Sequence, residues 1–123
     1  MFQVSNQQFQ DLINQSMDSL PPEHVKNIQN VAILVEDFPS NNQRQQLKLN
    51  NSQTLLGLYE GVPLARRQGV QKVLPDKITL FKVPLESQAG SLEDLKEQIR
   101  HTLWHEIAHY YGHDHQSINS LEA

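Results

Sequence analysis

Residues 101–115 read HTLWHEIAHYYGHDH and hold five of the chain's six histidines: His101, His105, His109, His113 and His115. His105 and His109 are four residues apart. On a helix that spacing puts both imidazoles on one side, with Cβ atoms roughly 6 Å apart. Two imidazole nitrogens so placed can meet one ion at the ~2.0–2.1 Å usual for zinc. Glu106 projects beside the pair, where a carboxylate serves as a general base rather than as a ligand. Gly112 breaks the helix, and His115 can come back towards the ion as a third ligand. His113 and Asp114 are the alternatives for that place. The full string is H-E-x-x-H-x-x-G-x-x-H. Three protein ligands with one open position describe a catalytic zinc site, whereas a structural site is closed by a fourth ligand. A bare H-E-x-x-H arises by chance on the order of 0.02 times in such a chain. The added glycine and histidine therefore carry the assignment to metal.

The helix under this string is predicted to begin at Ser91. That residue is an N-cap, and Glu93 and Asp94 put negative charge in the first turn. Leu92, Leu95, Ile99, Leu103 and Tyr110 then recur on one face. The two metal-binding histidines lie about 100° or more round the wheel from Leu103. The stripe thus faces a core and the histidines face a cleft. The helix is expected to reach Tyr111, with Gly112 supplying the left-handed residue that ends it. Trp104, Tyr110 and Tyr111 read as packing residues. His101, one turn before His105, reads as an exposed histidine.

A first helix is signalled at the other end of the chain. Ser5 and Gln8 make a capping box, with Val4 and Phe9 as its hydrophobic staple. Phe9, Leu12, Ile13, Met17 and Leu20 keep the helical period until Pro21-Pro22 stops it. A turn or short helical piece is expected over Glu23–Ile28. Val31–Val35 reads as a buried strand, short and β-branched. The polar stretch Asn41–Gln53 reads as a surface loop, with a strand start near Leu47–Leu49. Leu55–Tyr59 is a second strand and Ile78–Val83 a third, closed by Pro84. Leu64–Val73 is ambiguous: it holds Arg66, Arg67 and Lys72, and its Gly69 weakens a helix.

Composition narrows the function class. The chain has 123 residues, a net charge of −4, 37% hydrophobic residues and no cysteine. One domain over 1–123 is expected at this length. Without cysteine there are no disulfides, thiol nucleophiles or thiolate metal sites. The acidic balance argues against a nucleic-acid partner, even with Arg66, Arg67 and Lys72 close together. The longest apolar run, Val31–Val35, is far too short to span a bilayer. No basic, then apolar, N-terminal pattern marks a signal peptide, so a cytoplasmic location is expected.

Three segments together resemble a known group. They are Leu55-Leu56-Gly57-Leu58-Tyr59-Glu60-Gly61-Val62-Pro63-Leu64, then Leu74-Pro75-Asp76-Lys77-Ile78, then Thr102-Leu103-Trp104-His105-Glu106-Ile107-Ala108-His109. The pattern is similar to the small bacterial zincin-like metallopeptidases, from about Leu12 to His115. The resemblance implies an α+β fold, a minimal zincin with a small mixed sheet, an N-terminal helix and a C-terminal metal-binding helix. It also implies a Zn2+-dependent hydrolase acting on a peptide or protein substrate. His105, His109 and His115 would be its metal ligands and Glu106 its catalytic base. Two departures stand out. Many members carry an acidic residue where this chain has His115. That makes the site more like a metzincin, yet no methionine follows it. The strand Ile78–Lys82 is expected to form the cleft edge on which an extended peptide pairs. Tyr59 and His101 are candidates for stabilising an oxyanion. The rival reading is a non-catalytic, zinc-dependent module that binds a peptide or protein. Retention of Glu106 speaks against it, because binding alone needs no base.

Overall fold

The computed structural model describes residues 3–25, 28, 31–49, 55–61 and 76–112. Among them are five helices and three strands. In chain order they are α1 (Asn6–Ser19), α2 (Pro22–Val25), β1 (Val31–Glu36), α3 (Asn41–Gln46), β2 (Gly57–Glu60), β3 (Asp76–Phe81), α4 (Lys82–Ser87) and α5 (Leu92–Tyr110). This is the expected α+β arrangement of a small mixed sheet with an N-terminal and a C-terminal helix.

Local chemistry explains where the two long helices begin. Ser5 Oγ accepts from Gln8 N while the Gln8 side chain accepts from Ser5 N, so both arms of the capping box of α1 form. Ser91 Oγ accepts from Asp94 N at the start of α5. The stop signals also act as read. Leu20 leaves the helical region before the two prolines. Gly112 has φ of 90°, a left-handed value that a side chain would resist. Leu92, placed on the buried stripe by its spacing, is instead 47% exposed. It is the first residue of α5, where the packed face has not yet begun.

Three local readings need correction. Asn41–Gln46 is a helix, not a loop. Ser40 and Gln43 form a second capping box there, and this reciprocal pair satisfies the helix start without any apolar stripe. No strand starts at Leu47–Leu49: Leu47 caps α3, and Lys48 has φ of 56°. The third strand ends at Phe81, and Pro84 lies inside α4. The first turn of a helix has no intrahelical use for its N–H groups, so proline is accepted at that position. The segment Leu64–Val73, with Arg66, Arg67 and Lys72, lies outside the described residues.

The sheet order is β1-β3-β2. β1 runs parallel to β3, with Ile33 opposite Ile78 and Val35 opposite Leu80. β2 runs antiparallel to β3, with Gly57 opposite Leu80 and Tyr59 opposite Ile78. Strand β3 is therefore central, paired on both sides, and cannot be the cleft edge expected of Ile78–Lys82. Its backbone groups are already spent on its two neighbours. Strand β1, read as buried, is half-buried at Val31, Ala32 and Ile33 and exposed from Leu34 on, as befits a strand at the margin of the sheet.

One face of the sheet meets the helices. Ile78 and Leu80 of β3 share a core with Phe9, Leu12 and Ile13 of α1 and with Leu95, Ile99, Leu103 and Ile107 of α5. Burying each such side chain contributes roughly 1.5–3 kcal/mol. This core holds α5 in place, and the remaining sides of the same helix are left for the site. Two polar ties add to it: Ser16 Oγ donates to Lys96 O, and Tyr111 Oη donates to His24 O. The buried Glu86 carboxylate is matched by Lys82 Nζ at 3.1 Å and by Val4 N at 2.8 Å.

Candidate metal centre

The helix α5 divides its surface among three tasks. Leu95, Ile99, Leu103, Ile107 and Tyr110 are buried in or beside the core. Thr102 and Glu106 are also buried, next to β2 at Gly57. His105 and His109 are half-buried on a third side, their ring centroids 5.0 Å apart. His101 is exposed, and its ring lies 6.4 Å from that of His105.

One ligand atom each from His105, Glu106 and His109 lies within 4.8 Å of the others. The two imidazoles suit a zinc ion, and the Glu106 carboxylate lies beside them. The spacing that the sequence supplies thus becomes a real convergence of atoms. His113, Asp114 and His115, the candidates for a third ligand, lie outside the described residues.

Glu106 differs from the histidines in its surroundings. Its side chain is buried, and Tyr59 N donates to its Oε1 at 2.9 Å. Burial pushes the carboxyl up from 4.5 to about 7, and the Tyr59 hydrogen bond pulls the other way. Desolvation disfavours the charged form, and here it outweighs the one donor. A carboxyl poised near neutrality can both take and give a proton at working pH.

β2 supplies the wall against Glu106, and Gly57 lets it approach. A Cβ at Gly57 would lie 2.6 Å from Thr102 Cγ2 and 3.4 Å from Glu106 Cγ. Only a glycine lets strand and helix pass this closely. Tyr59 brings its backbone N–H to Glu106. Its hydroxyl donates its single proton to Asp76 Oδ2 at 2.6 Å, which leaves that hydroxyl no donor for an oxyanion. The edge-on contact of Tyr59 with Tyr110, centroids 6.3 Å apart, holds the ring in place. Sequence reasoning missed Asp76, which is 2% exposed. The only hint was its presence in the L-P-D-K-I segment.

Comparison with known families decides what this arrangement belongs to. The family model described as "Zincin-like metallopeptidase" matches residues 28–123. The chain belongs to the zincin-like metallopeptidase family. A zincin-like protein implies a bound metal, typically zinc, and the His105–Glu106–His109 group is where the described residues could hold one. Among solved structures, the chain is similar to a "conserved hypothetical protein" from Thermo thermophilus. The two share 19% identity and a TM-score of 0.57, over 88% of this chain and 94% of that one. This likeness speaks to the fold. A comparison with curated proteins gives no match. No helix among the described residues is long and apolar enough to cross a membrane.

Proposed function

We propose that this zincin-like protein is a zinc-dependent peptidase in which Glu106 is the general base. The observation that carries the reading is the state of Glu106: buried, raised to about 7, and within 4.8 Å of both imidazoles. A structural metal site gains nothing from a buried carboxyl poised between its two forms. His105 and His109 supply two ligands, and His115 is the proposed third. The ion, when bound, supplies Lewis acidity at the scissile carbonyl and a lowered pKa for the attacking water.

The chain's own residues do the rest. Glu106 takes the proton from the attacking water and passes it to the leaving amine. Tyr59 N–H fixes one carboxylate oxygen, so the other is the one that moves the proton. The substrate strand is assigned to β2 in place of β3. Leu56 O accepts from Phe81 N of β3. By the two-residue alternation of a strand, the backbone groups of Gly57 and Tyr59 then face away from β3, to the edge of the sheet among the described residues; Tyr59 N–H is taken by Glu106, which leaves Gly57 and the Tyr59 carbonyl for pairing. A peptide lying along that edge runs beside Glu106 and pairs by strand addition.

Glu106→Gln tests the reading. The amide keeps the shape and can still accept from Tyr59 N, but cannot accept the water proton. We expect zinc content and fold to be retained and hydrolysis of a broad peptide library to be lost. Unchanged turnover would remove Glu106 from the mechanism, and loss of zinc would make it a ligand.

A further inference from the structure

A cavity of about 400 Å³ lies on the side of α5 away from β2. The end of α1 closes it with Leu20 and Pro21, α2 with His24, and α5 with Glu97, Arg100, His101 and Trp104. Its walls are tied together. The rings of His24 and Trp104 meet at a tilt of 56° with centroids 4.7 Å apart. Arg100 Nε donates to Ser19 Oγ at 3.2 Å, which braces the guanidinium against α1. Among the described residues Arg100 Nη2 and the Trp104 indole N–H have no partner.

The polar chemistry of this cavity leans towards donors. Arg100 and the Trp104 indole can only donate, and His24 and His101 carry imidazoles that can donate or accept. Glu97 is the sole carboxylate of the lining. Its side chain is 71% exposed, and its contact with Arg100 Nη1 is long at 3.8 Å. Such an exposed, distant pair holds the guanidinium weakly. A donor-rich cavity with an aromatic wall calls for an acceptor that carries charge, and a carboxylate matches the fork of an arginine best.

The cavity is also next to the metal centre. His101 lines it, and the His101 ring is 6.4 Å from that of His105. The cavity therefore adjoins the metal centre along α5.

We infer that this cavity is a carboxylate subsite, in which Arg100 and Trp104 hold a carboxylate of the peptide beside the metal centre. It rests on the reading that the protein takes peptides. Two sources offer the same chemistry: an acidic side chain, or the free C-terminus of a short peptide. Arg100 sets the preference for the charge, and Trp104 supplies the flat wall beside it.

Trp104 is the chain's single tryptophan, so its fluorescence reports this cavity without any need for hydrolysis. The test titrates four short acetylated peptides into zinc-loaded and chelator-treated protein at neutral pH and low salt. One has a free C-terminus, one is its amide, and two amides carry an internal Glu or Gln. At least one carboxylate peptide is expected to bind about tenfold tighter than its neutral counterpart, the gain of one charge-assisted bond. The free-acid and Glu arms tell the two sources apart. Arg100→Gln should erase the preference, and Glu97→Gln should strengthen it a few-fold by removing the competing carboxylate. Circular dichroism melting checks that both variants fold. Equal binding of charged and neutral peptides, no binding at all, or a weaker preference in Glu97→Gln would overturn the subsite. A carboxylate-selective response without cleavage by the zinc-loaded protein would leave the subsite standing and sink the peptidase reading. Cleavage with no selectivity would do the reverse.

Discussion

Gly57→Ala probes the contact on which the site depends, the approach of β2 to α5. The added Cβ would lie 2.6 Å from Thr102 Cγ2 and 3.3 Å from Thr79 O. Relaxed carbon–carbon contacts are about 3.5–4.0 Å, so strand and helix must part by about 1 Å. Thr102 cannot yield cheaply. It is 5% exposed, and a branched side chain on a helix has few rotamers. Overpacking of this kind costs about 1–3 kcal/mol. Urea unfolding should show a lower midpoint at an unchanged slope. The separation also pulls Tyr59 N away from Glu106 Oε1, now 2.9 Å apart, so activity should fall along with stability. The second arm is Thr102→Ser, which deletes the obstructing methyl and keeps the hydroxyl. In that background Gly57→Ala should cost about 1 kcal/mol less, a coupling expected of residues in contact. If Gly57→Ala is as stable as wild type, or equally harmful in both backgrounds, the close packing of β2 on α5 is not what holds Glu106.

Two further outcomes follow from the same site. In metal-free protein, Glu106 stays protonated in the folded state between pH 4.5 and about 7 while the unfolded chain ionises. Its contribution to stability is thus whole below pH 4.5 and is lost as the pH rises through about 7. At about 1.4 kcal/mol per pH unit that is about 3 kcal/mol. Wild type should therefore lose that much stability relative to Glu106→Gln over this range, and parallel curves in chemical denaturation would contradict it. Elemental analysis should find zinc lost from His105→Ala and from His109→Ala, and affinity falling further in His115→Ala than in His113→Ala. Wild-type zinc in both of the first two variants would rule the site out.

How far the sequence could be read depended on the range of the interactions involved. Ser5 with Gln8 and Ser91 with Asp94 are pairs three residues apart, so the starts of α1 and α5 were legible. The same logic applied to Ser40 and Gln43, but the polar run behind them masked the signal, because α3 buries no stripe of its own. The convergence of His105 and His109 was equally local: a helix guarantees it once the helix forms. Glu106 was legible as a residue but not as an acid near neutrality, because its environment comes from β2, nearly fifty positions away in the chain.

By itself, then, the sequence determined the two long helices, the metal-binding spacing on α5 and the α+β class, since each follows from periods and caps within a few residues. The order of strands did not follow. Ile78–Phe81 has the apolar, β-branched pattern of an edge or a central strand alike, and only the pairing of β3 with both β1 and β2 makes it central. That pairing moved the proposed peptide edge to β2, set Gly57 against Thr102, and turned Tyr59 N–H onto Glu106. Strand pairing joins residues distant in the chain, and its energy lies in contacts that exist only after the core has formed, so no local pattern encodes it.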